Sequence, residues 1–268
     1  MPESNPVNPA ESGLEIRRYF VRNRNALIAR GSFSELFVDY YLHLSDQQIK
    51  VEPEHDALFK RALAGFVLYA ASRPWNEMIA WTLHLQEPSL NIFITGDNGT
   101  GAVTGRVFTE NVREMGANLF YSDVVRGREP KRRSAIDFAG TDPLVAAETF
   151  FARSEQRPAR YFQIGEEDFA LVSEHPDCDA MWFTELNAEK VTKLDEAETL
   201  ALMERRVYRW HCGCNQQRMM EVLGPTMKQS PDELFGSDEK IEIRCPRCGA
   251  RHTITREAME AFVAGTKD

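Results

Sequence analysis

Cys212-Gly213-Cys214 and, thirty residues on, Cys245-Pro246-Arg247-Cys248 gather four of the chain's five cysteines into two close pairs. Thiolates so arranged can do two kinds of chemistry: hold a metal, or give up electrons and join as disulfides. Four cysteines fill a tetrahedral zinc shell, so Cys212, Cys214, Cys245 and Cys248 are expected to bind one zinc ion in a closed, structural site with no open position for a substrate. The second pair has the form of a zinc knuckle: its spacing lets two sulfurs converge, and Gly249 can take a positive φ just past the second ligand. The first pair is tighter than the usual Cys-x-x-Cys and is also placed to oxidise with its neighbour. A disulfide joining Cys212 to Cys214 would close a very small, strained and readily reduced ring. His211 and His252 adjoin the pairs, but a fourth cysteine makes either unnecessary as a ligand. Cys178, alone in His175-Pro176-Asp177-Cys178-Asp179, reads as a plain thiol.

Composition narrows the function around that site. The 268 residues carry 41 acidic and 32 basic side chains, a net charge of −9. Binding a nucleic-acid backbone needs a clustered basic surface. Residues 212–268 hold eight basic and nine acidic side chains, so nucleic acid is not an expected partner. The start, Met1-Pro2-Glu3-Ser4-Asn5-Pro6, has no export-signal pattern, and the longest apolar run, Ala62 to Ala71, is about half a membrane span. A reducing cytoplasm and no membrane partner are therefore expected, and there clustered cysteines read as a zinc site rather than as structural disulfides. The chain has no His-Glu-x-x-His or comparable open zinc site, so an enzyme is not expected.

Four segments position these residues. Residues 1–13, rich in Pro, Ser, Asn and Glu, form an expected flexible N-terminus. Residues 14–185 read as an α+β core domain. Within it a mostly apolar helix spans Glu54 to Ser72, and strands run through Trp81–Leu85, Leu90–Ile94 and Val103–Phe108 around the Gly96-Asp97-Asn98-Gly99 turn. A helix capped by Asp142 with Pro143 in its first turn ends near Pro158, and a hairpin joins Arg160–Ile164 to Phe169–Ser173. Residues 186–210, with Leu194, Ala197, Leu200, Ala201 and Met203 among charges, read as an amphipathic helical linker. Residues 211–268 form the zinc domain, with a helix from Gln216 to Leu223 capped by Asn215, a helical turn at Pro231–Phe235, ribbon strands at Lys240–Arg244 and Arg251–Thr255, and a last helix capped by Thr255. That unit can bury little core, and structural zinc supplies about 10–16 kcal/mol, so it should fold only with its metal.

Two separated motifs resemble one family. The cysteine pattern is similar to the zinc centre of the heat-shock protein 33 family, redox-regulated holdase chaperones. Phe150-Phe151-Ala152-Arg153-Ser154-Glu155-Gln156-Arg157-Pro158 resembles that family's Tyr-Phe-x-x-Ser-Glu-Gln-x-Pro segment, making Ser154, Glu155, Gln156 and Pro158 motif residues. The resemblance implies an α+β domain, a helical linker and a zinc domain in a cytoplasmic protein. It implies zinc-bound thiolates at rest, and on oxidation disulfides pairing Cys212 with Cys214 and Cys245 with Cys248, zinc loss, unfolding of the C-terminal part and exposure of surface to unfolded client proteins, often as a homodimer. The linker departs from the family by being short. A zinc ribbon that binds protein or nucleic acid without redox switching is the rival reading.

Three further features carry less. Gly99-Thr100-Gly101 with Gly105 lacks nucleotide-loop spacing and reads as turn glycine. Arg126, Arg128, Lys131, Arg132 and Arg133 read as a solvated basic loop. Met219, Met220 and Met227 read as core rather than as an adaptable binding face.

Overall fold

The computed structural model describes residues 13–265; the expected flexible N-terminus lies, but for Gly13, outside the described residues. In chain order come β1 (Leu14–Val21), β2 (Ala26–Ser32), α1 (Ser34–Asp46), α2 (Pro53–Ala71), β3 (Glu77–Leu85), β4 (Leu90–Asp97), β5 (Ala102–Phe108), β6 (Asn118–Arg126), β7 (Arg132–Phe138) and α3 (Pro143–Arg153). β8 (Ala159–Gln163), β9 (Asp168–Glu174), the short helices α4 (Ala180–Thr184), α5 (Ala188–Thr192) and α6 (Leu194–Ala197), and β10 (Leu200–Trp210) complete the larger part. The last part holds α7 (Gln216–Gln229), α8 (Pro231–Phe235), β11 (Lys240–Arg244), β12 (Arg251–Thr255) and α9 (Arg256–Gly265).

Ten strands form one sheet in the order β7-β6-β3-β4-β5-β10-β1-β2-β9-β8. Strands buried on both faces divide their side chains by the two-residue period. In β9, Phe169 and Leu171 enter the main core while Ala170 and Val172 enter a second one; in β2, Ala29 and Ile28 divide the same way. α2 lies in the main core, buried without a break from Ala62 to Ala71 as its all-round apolar sequence requires. The second core is closed by Phe183, Leu186, Val191 and Leu194 from α4 to α6 and their connections. The architecture is α+β, and no helix of the described residues is long and apolar enough to cross a membrane.

Local signals set most boundaries. Asp142 caps α3 by accepting from the Leu144 amide at 2.9 Å, with Pro143 in the first turn. Asn215 caps α7 by accepting from Arg218 at 2.9 Å, and Thr255 accepts from Ala258 at 3.2 Å. α3 stops at Arg153, short of Pro158. α7 instead continues past Leu223 to Gln229 through Pro225, held by Met219 and Met227, which are buried in the small C-terminal core.

The helical linker expected over 186–210 is corrected. α5 and α6 are single turns, and Leu200–Trp210 is a strand in the middle of the sheet. It pairs antiparallel with β1 from Leu14↔Tyr208 to Val21↔Leu200, and parallel with β5 at Arg209↔Ala102 and Trp210↔Val103. The register skips Met203, since Arg18 opposes Glu204 and Tyr19 opposes Leu202. That bulge moves even-numbered side chains from one face to the other: Leu200 packs on the second core, Tyr208 in the main one. Strand alternation is thereby erased from the sequence, and Leu, Met, Glu and Arg favour a helix reading until the gap between β1 and β5 overrides them.

The glycine cluster and the basic run are structural. Gly101 has φ +70°, and a Cβ there would lie 2.2 Å from the Val207 carbonyl oxygen, so glycine lets β10 pass. The basic run is a β6–β7 hairpin rather than a free loop: Arg126 reaches Glu77 at 2.6 Å and Arg133 reaches Asp123 at 2.7 Å.

Candidate metal centre

β10 delivers Cys212 two residues beyond its end, and α7 begins two residues after Cys214. Gly213 between them takes φ +66°, and its carbonyl accepts from Arg218 at 2.7 Å, folding the tight pair back on itself. Cys245 and Cys248 sit in the turn between β11 and β12. The Cys245 amide donates to the Ala250 carbonyl at 2.8 Å and the Gly249 amide to the Cys245 carbonyl at 2.9 Å. Gly249 has the positive φ expected for it, +80°.

These two turns bring the Sγ atoms of Cys212, Cys214, Cys245 and Cys248 within 4.8 Å of one another. Two separations that cross the pairs are 3.7 Å from Cys212 to Cys245 and 3.6 Å from Cys214 to Cys248. A tetrahedral ion with Zn–S bonds of about 2.3 Å requires sulfurs about 3.8 Å apart, so the four donors fit such an ion. Cys245 and Cys248 are buried, whereas Cys212 and Cys214 are half-buried. Burial and repulsion from Cys212 push the Cys214 thiol up to about 12. Hydrogen bonds shared with Cys212 lower the Cys245 thiol and raise the Cys248 thiol.

Neither neighbouring histidine belongs to the four-sulfur group. His252 Nε2 lies 3.4 Å from the Cys214 sulfur, where it can orient that thiolate. Cys178 packs on the edge of the second core, its thiol raised by burial.

Sequence reasoning missed the groups that dock this unit on the core. His43 near the end of α1 lies 2.9 Å from the Cys248 carbonyl oxygen, and Arg106 of β5 donates to the Cys245 carbonyl at 3.2 Å. Gln47 accepts from the Arg251 amide at 3.0 Å. All three grip the backbone of the knuckle or the residue that leaves it. Burial, followed by repulsion from Arg244, lowers the Arg106 guanidinium. A lone arginine in the apolar strand Ala102–Phe108 was the one available signal.

The motif residues lie elsewhere, at the end of α3. Ser154 closes the helix through its amide to Phe150. Glu155 accepts from Tyr69 at 2.9 Å and Arg73 at 2.8 Å, and Gln156 turns the chain at φ +53° toward Pro158 and β8. Arg73 also pairs with Glu77 at 2.9 Å, so the motif closes an ionic network between α2, α3 and β3. Burial would raise the Glu77 carboxyl, but hydrogen bonds from Arg73 and Arg126 hold it below its ordinary value.

Comparison with known proteins bears on the same segments. The family model described as Hsp33 protein matches residues 163–255, which include all four clustered cysteines and β10. A 33 kDa chaperonin of Caldanaerobacter subterraneus subsp. tengcongensis is 27% identical over 73 residues, 27% of this chain and 25% of that protein. The 33 kDa chaperonin of Acholeplasma laidlawii is 24% identical over 63 residues, 24% of this chain and 22% of that one. These matches thus span about a quarter of each curated relative. The solved 33 kDa chaperonin (heat shock protein 33 homolog) of Thermotoga maritima has the same fold, with a TM-score of 0.70 and 13% identity over 94% of this chain and 98% of that one. Family model, curated relatives and fold agree in what this chain is similar to, the Hsp33 family, with the sequence match confined to about a third of the chain.

Proposed function

We propose that this protein is a cytoplasmic holdase chaperone whose four cysteines hold one zinc ion at rest and whose oxidation frees surface for unfolding client proteins. The carrying observation is the convergence of four sulfurs at tetrahedral spacing, two of them half-buried, in a unit gripped through its knuckle. Each peroxide would take two electrons from the two thiolates of one cysteine pair, Cys212 with Cys214 or Cys245 with Cys248, and two protons from solvent, so that the S–S bond forms as the O–O bond breaks and peroxide leaves as two waters. A disulfide sulfur does not ligate zinc as a thiolate does, so the ion departs. The knuckle then loses its shape and the carbonyls that His43 and Arg106 hold. Client binding is stoichiometric and not catalytic, and a homodimer of the oxidised form is part of the reading. The core unit takes in α5, α6 and β10 and so extends past the expected limit of 185 to Trp210, with 211–268 as the zinc unit.

The test treats zinc-loaded, reduced protein with peroxide while following metal release, the disulfides formed and the aggregation of a heat-unfolded client. Zinc release accompanied by client protection is expected. Release without protection would sink the switch and leave the second reading, a structural zinc ribbon, which β10 favours by joining the metal unit to a sheet strand instead of a helical linker. Protection by the reduced protein would indicate a holdase without a gate.

A further inference from the structure

A cleft of about 830 Å³ runs between the core and the metal ribbon, beside the knuckle. Its core wall includes Lys50 and Arg106, its ribbon wall Arg244 and Arg251; the carboxylates on it are Glu52 and Glu110. Four cations against two anions is the reverse of the balance of the whole chain. Several arginines elsewhere are met by carboxylates at hydrogen-bond distance, as Arg24 is by Asp179, Arg61 by Asp142 and Arg133 by Asp123. In the cleft, among the described residues, Lys50, Arg106 and Arg244 have no carboxylate within 4.0 Å, and Arg251 reaches only Glu242, at 3.9 Å.

The ribbon's register adds an independent observation. Arg244 and Arg251 stand directly opposite each other on β11 and β12. Like charges in that position destabilise a strand pair. An anion held between them removes the repulsion. The metal centre with four thiolates offers negative charge to Arg106, which it contacts through Cys245, but it leaves the exposed Lys50, Arg244 and Arg251 to solvent.

We propose that this cleft is an oxyanion site that takes a phosphate group and clamps the ribbon to the core. A tetrahedral oxyanion presents several acceptor oxygens, which suits guanidinium forks arriving from one side and an ammonium from the other. Because the cations come from both units, the ligand would bind the docked state and strengthen docking by the factor by which docking strengthens its binding. The inference rests on the docked geometry and not on the chaperone reading, so either can fail alone.

Calorimetry on the reduced, zinc-loaded full chain tests it, titrating inorganic phosphate against a chloride control of equal ionic strength, with glycerol phosphate as a second probe. Binding of one phosphate above the control is expected. Arg244→Gln, Arg251→Gln and Lys50→Gln should each weaken it about tenfold or more, the value of a charge-assisted hydrogen bond, with zinc content unchanged. Tighter glycerol phosphate would assign an ester as the ligand; weaker would assign the free ion. Glu110→Gln, an exposed change that removes a negative charge, should tighten binding and keeps the test open if an arginine variant fails to fold. No binding above chloride, or binding indifferent to Lys50→Gln and Glu110→Gln, overturns the proposal.

Discussion

If zinc is removed from the reduced protein by a chelator, residues 212–265 should lose their structure while β10 keeps its place. The strand has eight registered partners on β1 and two on β5. Net stabilisation of about 1 kcal/mol per hydrogen bond gives the β1 ladder alone roughly 8 kcal/mol, and burying Tyr208 adds about 2 kcal/mol. Detaching β10 would thus cost about 10 kcal/mol, as much as a typical domain's whole stability. Among the described residues of the ribbon, the apolar side chains buried besides its knuckle are Met219, Met227, Phe235, Ile254 and Met259, too little to order a unit of that size without the metal. Hydrogen exchange read by mass spectrometry separates the two. On chelation, peptides from 213–265 should exchange within seconds to minutes, while peptides 200–210 and 14–21 retain protection orders of magnitude greater. The reasoning is refuted if 200–210 and 14–21 open together with the ribbon, for the strand would then be the mobile linker that its sequence suggests.

Other consequences follow from the same contacts. His43→Ala or Arg106→Ala should leave zinc content intact but loosen docking by about 1 kcal/mol each, read as several-fold faster exchange in the knuckle and α1 under native conditions. Glu155→Ala strips partners from Tyr69 and Arg73 and should lower stability by about 1–3 kcal/mol, a fall in Tm of several degrees with zinc binding unaffected. Because the Glu77 carboxyl is held below its unfolded value, its contribution is present above the ordinary glutamate pKa near 4.5 and lost as pH falls through the depressed folded value. Glu77→Gln should therefore flatten the acid limb of the stability–pH curve, measured by denaturant titration at successive pH values; an unchanged limb would remove Glu77 from that account.

The parts of the fold governed by local chemistry were legible. Asp142, Asn215 and Thr255 cap the helices expected of them, the all-round apolar run of α2 is buried, and the knuckle glycine turns as its position demands. The cysteine pairs could be joined on paper because thiolate chemistry needs only residue type and spacing. The failures share a cause: a residue whose role is set by a distant partner. Arg126 and Arg133 look like a solvated charge run until Glu77 and Asp123 stand opposite them. Arg206, mid-strand in β10, looks like a helix-surface residue, yet it is buried, donates to the Arg73 carbonyl at 2.7 Å and lies 4.3 Å from the centre of the Trp75 ring.

That buried arginine bears on how the metal unit can signal. Arg206 ties β10 to the end of α2, and Tyr208 donates to Asn98 Oδ1 at 3.0 Å, while Asn98 donates to the Ala70 and Pro74 carbonyls. The strand before Cys212 is thus fastened to the helix that fills the core, by bonds that an unfolding linker would have to break. The contacts on the other side of the metal centre are few: His43 and Arg106 touch the knuckle directly, and Gln47 holds Arg251 just beyond it. A change in the sulfur cluster reaches those three before it can disturb β10. If oxidation controls the core at all, the weaker route is loss of the grip on the knuckle, which would bare Leu44, Ile49 and the adjoining cleft wall rather than the sheet.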